Sequence, residues 1–257
     1  AANQNGFAFC TTDGSEIIKN NDVNTVFIAT RHDSHAKFVI ESLKAGKNVF
    51  VENPLAINQN ELDAIFEAYN KSNSKVMVGF NRRFSNAGFI PKSHWVQFKE
   101  QGGRIIGEVC HFIDTMVFLT KAKPVRIFAE CTSSTNNDVV NEDNVSITIK
   151  FSDGSTGTIL YLANGDSSVA KEYCEVYCER STAIMNNFET VSLFRAGKTK
   201  IVKSDGKKGI EEEVLQTISS FKSGNYMPIE FENLILVTKA TFAALESLKS
   251  GNFEKIR

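Results

Sequence analysis

The chain has 257 residues, 42% of them hydrophobic and 23% charged, and 29 Lys and Arg against 30 Asp and Glu leave a net charge of -1. At roughly 100–200 residues per domain this is one large domain or two ordinary ones, long enough to bury a core without disulfide staples. The balanced charge gives no bias toward nucleic acid or a membrane surface, and the short apolar runs at 26–29 and 76–78 fall far below the roughly 20 residues of a membrane span.

The opening residues, Ala1-Ala2-Asn3-Gln4-Asn5, have neither the basic start nor the apolar stretch of a secretory signal, so a cytoplasmic location is expected. The lack of an initial Met points to a truncated or processed chain. Five cysteines match no common zinc spacing, and no metal is expected. Residues 173–179 alternate as a strand does, which sets Cys174 and Cys178 about 13 Å apart at ~3.3 Å per residue. That separation rules out an intrastrand disulfide, and packing cysteines in a reducing compartment are expected.

In chain order, the apolar runs at 26–29, 48–51 and 75–80 read as buried parallel strands. Between the first two, Ala36, Val39, Ile40 and Leu43 fall at helical spacing, with Gly46 placed for a left-handed cap. Between the second and third, Asn58 is placed to cap a helix with Glu61 three residues on, and Leu62, Ile65, Phe66 and Tyr69 form its apolar stripe. Right-handed crossovers make such strands parallel and bring their carboxyl ends to one edge. Thr30-Arg31-His32, Glu52-Asn53-Pro54 and Asn81-Arg82-Arg83 all land there, where open α/β sheets bind ligands.

After Phe84 the alternation stops, and a domain boundary near residue 85 is expected. Ile106, Val109, Cys110, Ile113, Met116 and Val117 predict a helix on which Glu108, His111 and Asp114 share a face. Residues 145–151 and 158–162 predict a hairpin around Ser152-Asp153-Gly154-Ser155. Strands are also predicted at 172–179, 190–194 and 199–202, forming an antiparallel sheet open on one face, and helices at 211–221 and 230–249. Gly206-Lys207-Lys208-Gly209 reads as a solvated loop. The second half is α+β.

Thr30-Arg31-His32-Asp33-Ser34-His35-Ala36, residues 45–55, Gly79-Phe80-Asn81-Arg82-Arg83-Phe84 and residues 107–114 together resemble the Gfo/Idh/MocA family of nicotinamide-dependent oxidoreductases. The resemblance extends over essentially the whole chain. Residues 86–95 resemble a branch found in surface-polysaccharide gene contexts. The resemblance implies a Rossmann-like parallel sheet, incomplete at its N-terminus, over residues 1–85. Residues 86–257 would then form a substrate-binding and oligomerisation domain of α+β type with an open, mostly antiparallel sheet. It also implies NAD or NADP as cofactor, a carbohydrate substrate and a homo-oligomer, dimer or tetramer, formed through the exposed sheet face.

Three departures stand out. The G-x-G-x-x-G turn that would approach a pyrophosphate is absent, as though a βαβ unit of roughly 30 or more residues were missing upstream, and a second gap is expected at Ser85–Asn86. Where the family motif reads Glu-Lys-Pro, this chain reads Glu52-Asn53-Pro54, and a neutral amide can hydrogen-bond but supplies no charge. The Asp that often stands four residues before the motif histidine is replaced by Gly107.

By resemblance His111 is the proton acceptor, its unperturbed pKa of about 6.5 suiting alcohol deprotonation near neutrality, with Asn53 beside the reacting hydroxyl and Asp114 or Glu108 orienting the ring. Glu52, Pro54, Thr30, His32 and His35 would border the cofactor. Arg82 and Arg83 would bind a phosphate or carboxylate, one of them equally suited to a structural ion pair. His94 and Trp95 would stack on a sugar, Trp95 being equally suited to the core. The implied activity is hydride transfer between nicotinamide and a hydroxyl-bearing carbon of a sugar, sugar nucleotide or cyclitol. The alternative is a catalytically weakened relative that binds a nucleotide or sugar or serves as an assembly subunit.

Overall fold

The fold is that of a computed structural model, which describes residues 6–80, 90–135, 140–166, 168–169, 172–204, 209–224 and 226–257. The boundary near residue 85, the gap at Ser85–Asn86, Arg82 and Arg83, and most of the loop at 206–209 lie outside the described residues.

Strands β1 (Thr25–Ile28), β2 (Asn48–Glu52) and β3 (Val76–Gly79) form a parallel sheet in that order, as their apolar runs predict. Val26, Ile28, Val49, Val51, Val76 and Val78 are buried, and Phe27 stacks on Phe50 of the next strand with 5.1 Å between ring centroids. Helix α1 (Gly14–Lys19), which the sequence pattern did not predict, begins at Asp13, whose carboxylate accepts the Ser15 N–H. Helix α2 (His35–Lys44) buries Ala36, Val39 and Leu43, and Gly46 follows at φ 70°. Helix α3 (Gln59–Asn70) starts at a reciprocal cap. The Asn58 side chain accepts the Glu61 N–H at 3.0 Å, while the Glu61 carboxylate accepts the Ile57 N–H at 3.0 Å.

Downstream, residues Ile105–Val109 form a π-helical turn that runs into α4 (Cys110–Thr120). The antiparallel strands divide into two sheets where one was expected. The first joins β4 (Pro124–Cys131), β5 (Asn144–Phe151) and β6 (Thr156–Leu162) to the short β11 (Glu254–Lys255), in the order β11-β4-β5-β6. It buries Ile127, Ala129, Val145, Ile147, Ile149, Ile159 and Tyr161 on one face. The second joins β7 (Tyr173–Cys178), β8 (Ser181–Asn186), β9 (Thr190–Arg195) and β10 (Lys198–Lys203) in reverse chain order. No residue of these four strands is buried, so this sheet is open on both faces rather than one.

Helices α5 (Ile210–Ser223) and α6 (Phe231–Ser250) return to the first α/β unit. Phe231 stacks on Tyr69 of α3 at 3.6 Å, and the Glu213 carboxylate accepts the Phe80 N–H at 3.0 Å. From the far end of α6, Ser247 Oγ accepts the Ala129 N–H of β4. One helix therefore bridges both units and fixes how the parallel sheet's carboxyl edge faces α4.

Candidate active site at the carboxyl edge of the parallel sheet

The turn after β1 is tied by its own hydroxyls. Thr30 Oγ1 and Ser34 Oγ share a 2.6 Å hydrogen bond, and Ser34 Oγ donates to the Arg31 carbonyl. Ser34 therefore closes the turn and makes no side-chain cap on α2. His35 is fully buried, its Nδ1 2.8 Å from the Pro54 carbonyl and its Nε2 3.0 Å from the Thr30 carbonyl. With both ring nitrogens against backbone oxygens, His35 straps the end of β1 to the Asn53–Pro54 turn and has neither nitrogen left for a ligand. The Asn53–Pro54 peptide is cis.

His32 is buried with Nδ1 2.8 Å from the Gln101 carbonyl. A carbonyl only accepts, so Nδ1 carries a proton. The His32 ring stands edge-on to Trp95 at 5.0 Å, and a Cβ built at Gly107 would lie 2.8 Å from His32 Cε1. Gly107 is therefore the notch that admits the His32 ring. From the opposite unit the Asn53 amide donates to the Gly107 carbonyl, and its Nδ2 lies 3.8 Å from Cys110 Sγ. The two motif departures read separately in the sequence are thus in direct contact.

Glu52 is placed by a second notch, since a Cβ at Gly79 would come within 2.9 Å of Glu52 Oε2. His111 and Asp114 are buried on α4, with Phe80 edge-on to the His111 ring at 5.7 Å. Burial, with Asp114 beside it, pushes the Cys110 thiol up to about 12, so it stays protonated near neutrality and is no nucleophile.

Glu108 accepts the Tyr161 hydroxyl at 2.6 Å and pairs with Arg104 Nη2 at 3.4 Å. Arg104, with no exposed side chain, also pairs through Nη1 with Asp143 at 3.3 Å, and Gln97 donates to the same Asp143 oxygen at 2.6 Å. The sequence reading missed Arg104, Asp143, Tyr161 and Gln97. The one local sign of them was the i,i+4 spacing of Arg104 and Glu108.

His94 is exposed and its Nδ1 accepts the Val96 N–H at 3.4 Å; Trp95 is half-buried. Among the described residues no group of three or more His, Cys, Asp or Glu is arranged to hold a metal. A cleft of about 470 Å³ opens elsewhere, between the start of α3, α6 and the last residues. No helix among the described residues is long and apolar enough to cross a membrane.

Two family models match the chain: "Oxidoreductase family, NAD-binding Rossmann fold" over residues 1–80 and "GFO/IDH/MocA C-terminal domain" over residues 75–184. Levoglucosan dehydrogenase of Pseudarthrobacter phenanthrenivorans is 34% identical over 124 residues, covering 48% of this chain and 30% of that protein. Myo-inositol 2-dehydrogenase of Thermotoga maritima is 24% identical over 173 residues, covering 57% of this chain and 52% of that protein. The chain thus spans about half or less of these curated relatives. A solved structure of levoglucosan dehydrogenase in complex with NADH and levoglucosan superposes with a TM-score of 0.84 at 20% identity, over 99% of this chain and 86% of that one. That likeness shows the shared fold, a Rossmann-like parallel sheet followed by antiparallel sheets. With both family models matched in order across residues 1–184, the chain belongs to the Gfo/Idh/MocA oxidoreductase family.

Proposed function

We propose that the protein is an NAD(P)-dependent dehydrogenase or reductase acting on a hydroxyl-bearing carbon of a sugar, sugar nucleotide or cyclitol. The observation that carries this reading is the Asn53 amide on the Gly107 carbonyl, which brings the parallel sheet's edge onto the helical segment bearing His111 and Asp114. The residues present fit the nicotinamide and ribose half of the cofactor. The Gly79 notch seats the half-buried Glu52 carboxylate at the end of β2, and Thr30 is exposed just past the end of β1, which supplies oxygen acceptors for ribose hydroxyls at the sheet edge.

When bound, nicotinamide supplies the hydride-exchanging carbon. His111 takes or returns the hydroxyl proton, with Asp114 one turn further along the same helix. Asn53 orients without contributing charge. The proposal keeps a domain division near residue 85 and a cytoplasmic location.

One observation favours a second reading, a weakened relative that binds nucleotide or sugar or serves as an assembly subunit: Asn53 spends its amide on backbone. Trp95 is the sole tryptophan, so energy transfer from it to NADH or NADPH reports cofactor binding. Saturable transfer is expected, and with a turned-over sugar or cyclitol Asn53→Lys is expected to raise kcat about tenfold or more. No saturable transfer with either cofactor sinks the oxidoreductase reading; transfer without turnover in either form leaves the second one.

The outer sheet supports a homo-oligomer. Its register sets Tyr173, Tyr177, Phe194 and Ile201 on one face, each 38–69% exposed. A second copy on that face removes the apolar surface from water. Light scattering is expected to give a multiple of 28.5 kDa, reduced to the monomer by Tyr177→Lys with Ile201→Lys. A wild-type monomer at tens of micromolar contradicts this.

A further inference from the structure

The half-buried Trp95 ring makes a T-shaped contact with His32, which is itself fixed between the Gln101 carbonyl and the Gly107 notch. Trp95 therefore stands one side chain away from the backbone unit that Asn53 grips. The Arg31 guanidinium carbon lies 5.8 Å from the Trp95 ring centroid. Arg31 is exposed and makes no ion pair among the described residues, so its cation-π contact steadies the fork without neutralising it. The His94 ring centroid is 5.7 Å from that of Trp95. Because His94 Nδ1 accepts the Val96 N–H, the neutral ring carries its proton on Nε2, as a donor.

An immobilised indole, an uncompensated guanidinium and an N–H donor answer one ligand chemistry. The apolar C–H face of a pyranose lies on the indole, and a phosphate or carboxylate takes the planar fork. We propose that Arg31, Trp95 and His94 form a subsite for an anionic carbohydrate, a sugar bearing a phosphate or a carboxylate. The inference rests on the oxidoreductase reading and names its substrate class: neutral sugars and cyclitols lack the group that Arg31 recognises.

Since Trp95 is the sole tryptophan, all of the indole emission arises at this subsite. The test titrates the chain, with and without saturating NAD, using UDP-glucose, glucose 1-phosphate, glucuronate, methyl glucoside and inorganic phosphate. At least one charged sugar is expected to change the emission saturably, about tenfold or more tighter than methyl glucoside, the worth of a charge-assisted hydrogen bond. Arg31→Gln, at an exposed position, is expected to erase that preference.

A response confined to UDP-glucose and glucose 1-phosphate assigns the anion as phosphate; one confined to glucuronate assigns a carboxylate. Equal affinity for methyl glucoside, an Arg31→Gln variant with the preference intact, or no response to any charged sugar overturns the subsite. Inorganic phosphate binding as tightly as the sugar phosphates, with glucuronate silent, overturns its carbohydrate part. Energy transfer to NADH in the same samples judges the oxidoreductase reading separately. Transfer without a charged-sugar response removes the subsite alone, and the reverse removes the redox reading alone.

Discussion

Arg104→Met is expected to destabilise the protein by about 3–5 kcal/mol, because removing one partner of a buried ion pair leaves uncompensated charge behind. The guanidinium has no exposed surface and reaches Glu108 through Nη2 at 3.4 Å and Asp143 through Nη1 at 3.3 Å. It also lies 5.0 Å from the Tyr161 ring centroid. Tyr161 and Gln97 still donate to the two carboxylates in the variant, but both carboxylates lose the guanidinium's charge together with its hydrogen bond. Arg104→Lys keeps the charge but not the fork that spans both acids, so a smaller loss is expected.

The same variant carries a pH signature. Burial raises Asp143 above the ordinary aspartate range against the opposing hydrogen bonds from Gln97 and Arg104. A carboxyl raised on folding holds its proton more tightly in the native state. Stability therefore falls as pH rises from the unfolded pKa through the folded one, and then levels. Deleting Arg104 removes an influence that lowers Asp143 and so raises it further. The deficit of Arg104→Met is then fully present near neutrality and shrinks as acid protonates Asp143. Urea unfolding across a pH series checks this, and a loss below about 1 kcal/mol, or one independent of pH, contradicts it.

Much of the fold was legible because local chemistry agreed with it. The three apolar runs became parallel strands, the Asn58 and Glu61 pair became a cap, and Glu108, His111 and Asp114 all proved buried on one segment. Strand β8 escaped notice for a physical reason. The two-residue turn before it is Glu179-Arg180, with φ of 47° and 61°, a left-handed pair that Asn-Gly or Asp-Gly normally signals. The turn after β9, Ala196-Gly197, carries that glycine, and the strands on either side of it are among those the sequence predicts. At the site, sequence named Asn53 and Gly107 but treated them as separate losses. They are 54 residues apart, and no periodicity encodes a contact of that range. At His35 the motif position carries no sign of the structural part its ring plays, with both nitrogens against backbone carbonyls.

Gly107→Ala tests whether that glycine is a loss or a fitted notch. In an ordinary helix, Gly to Ala is favourable by about 1 kcal/mol. Here the added Cβ would stand 2.8 Å from Cε1 of a His32 ring that cannot swing away without breaking its bond to the Gln101 carbonyl and its edge contact with Trp95. Overpacking of this kind costs about 1–3 kcal/mol, which meets or exceeds the propensity gain, so a net destabilisation of up to about 2 kcal/mol is expected. In a His32→Ala background the clash is gone, and the same substitution is expected to be neutral or to stabilise by up to about 1 kcal/mol. The difference between the two backgrounds, about 2 kcal/mol, lies within the coupling range of residues in direct contact. Urea unfolding of wild type, the two single variants and the double variant measures it. Additive effects would mean that His32 does not fill the space beside Gly107. Strong coupling would mean that any attempt to restore an acid at position 107 must first move His32, with Asn53 and Gly107 changed as one unit.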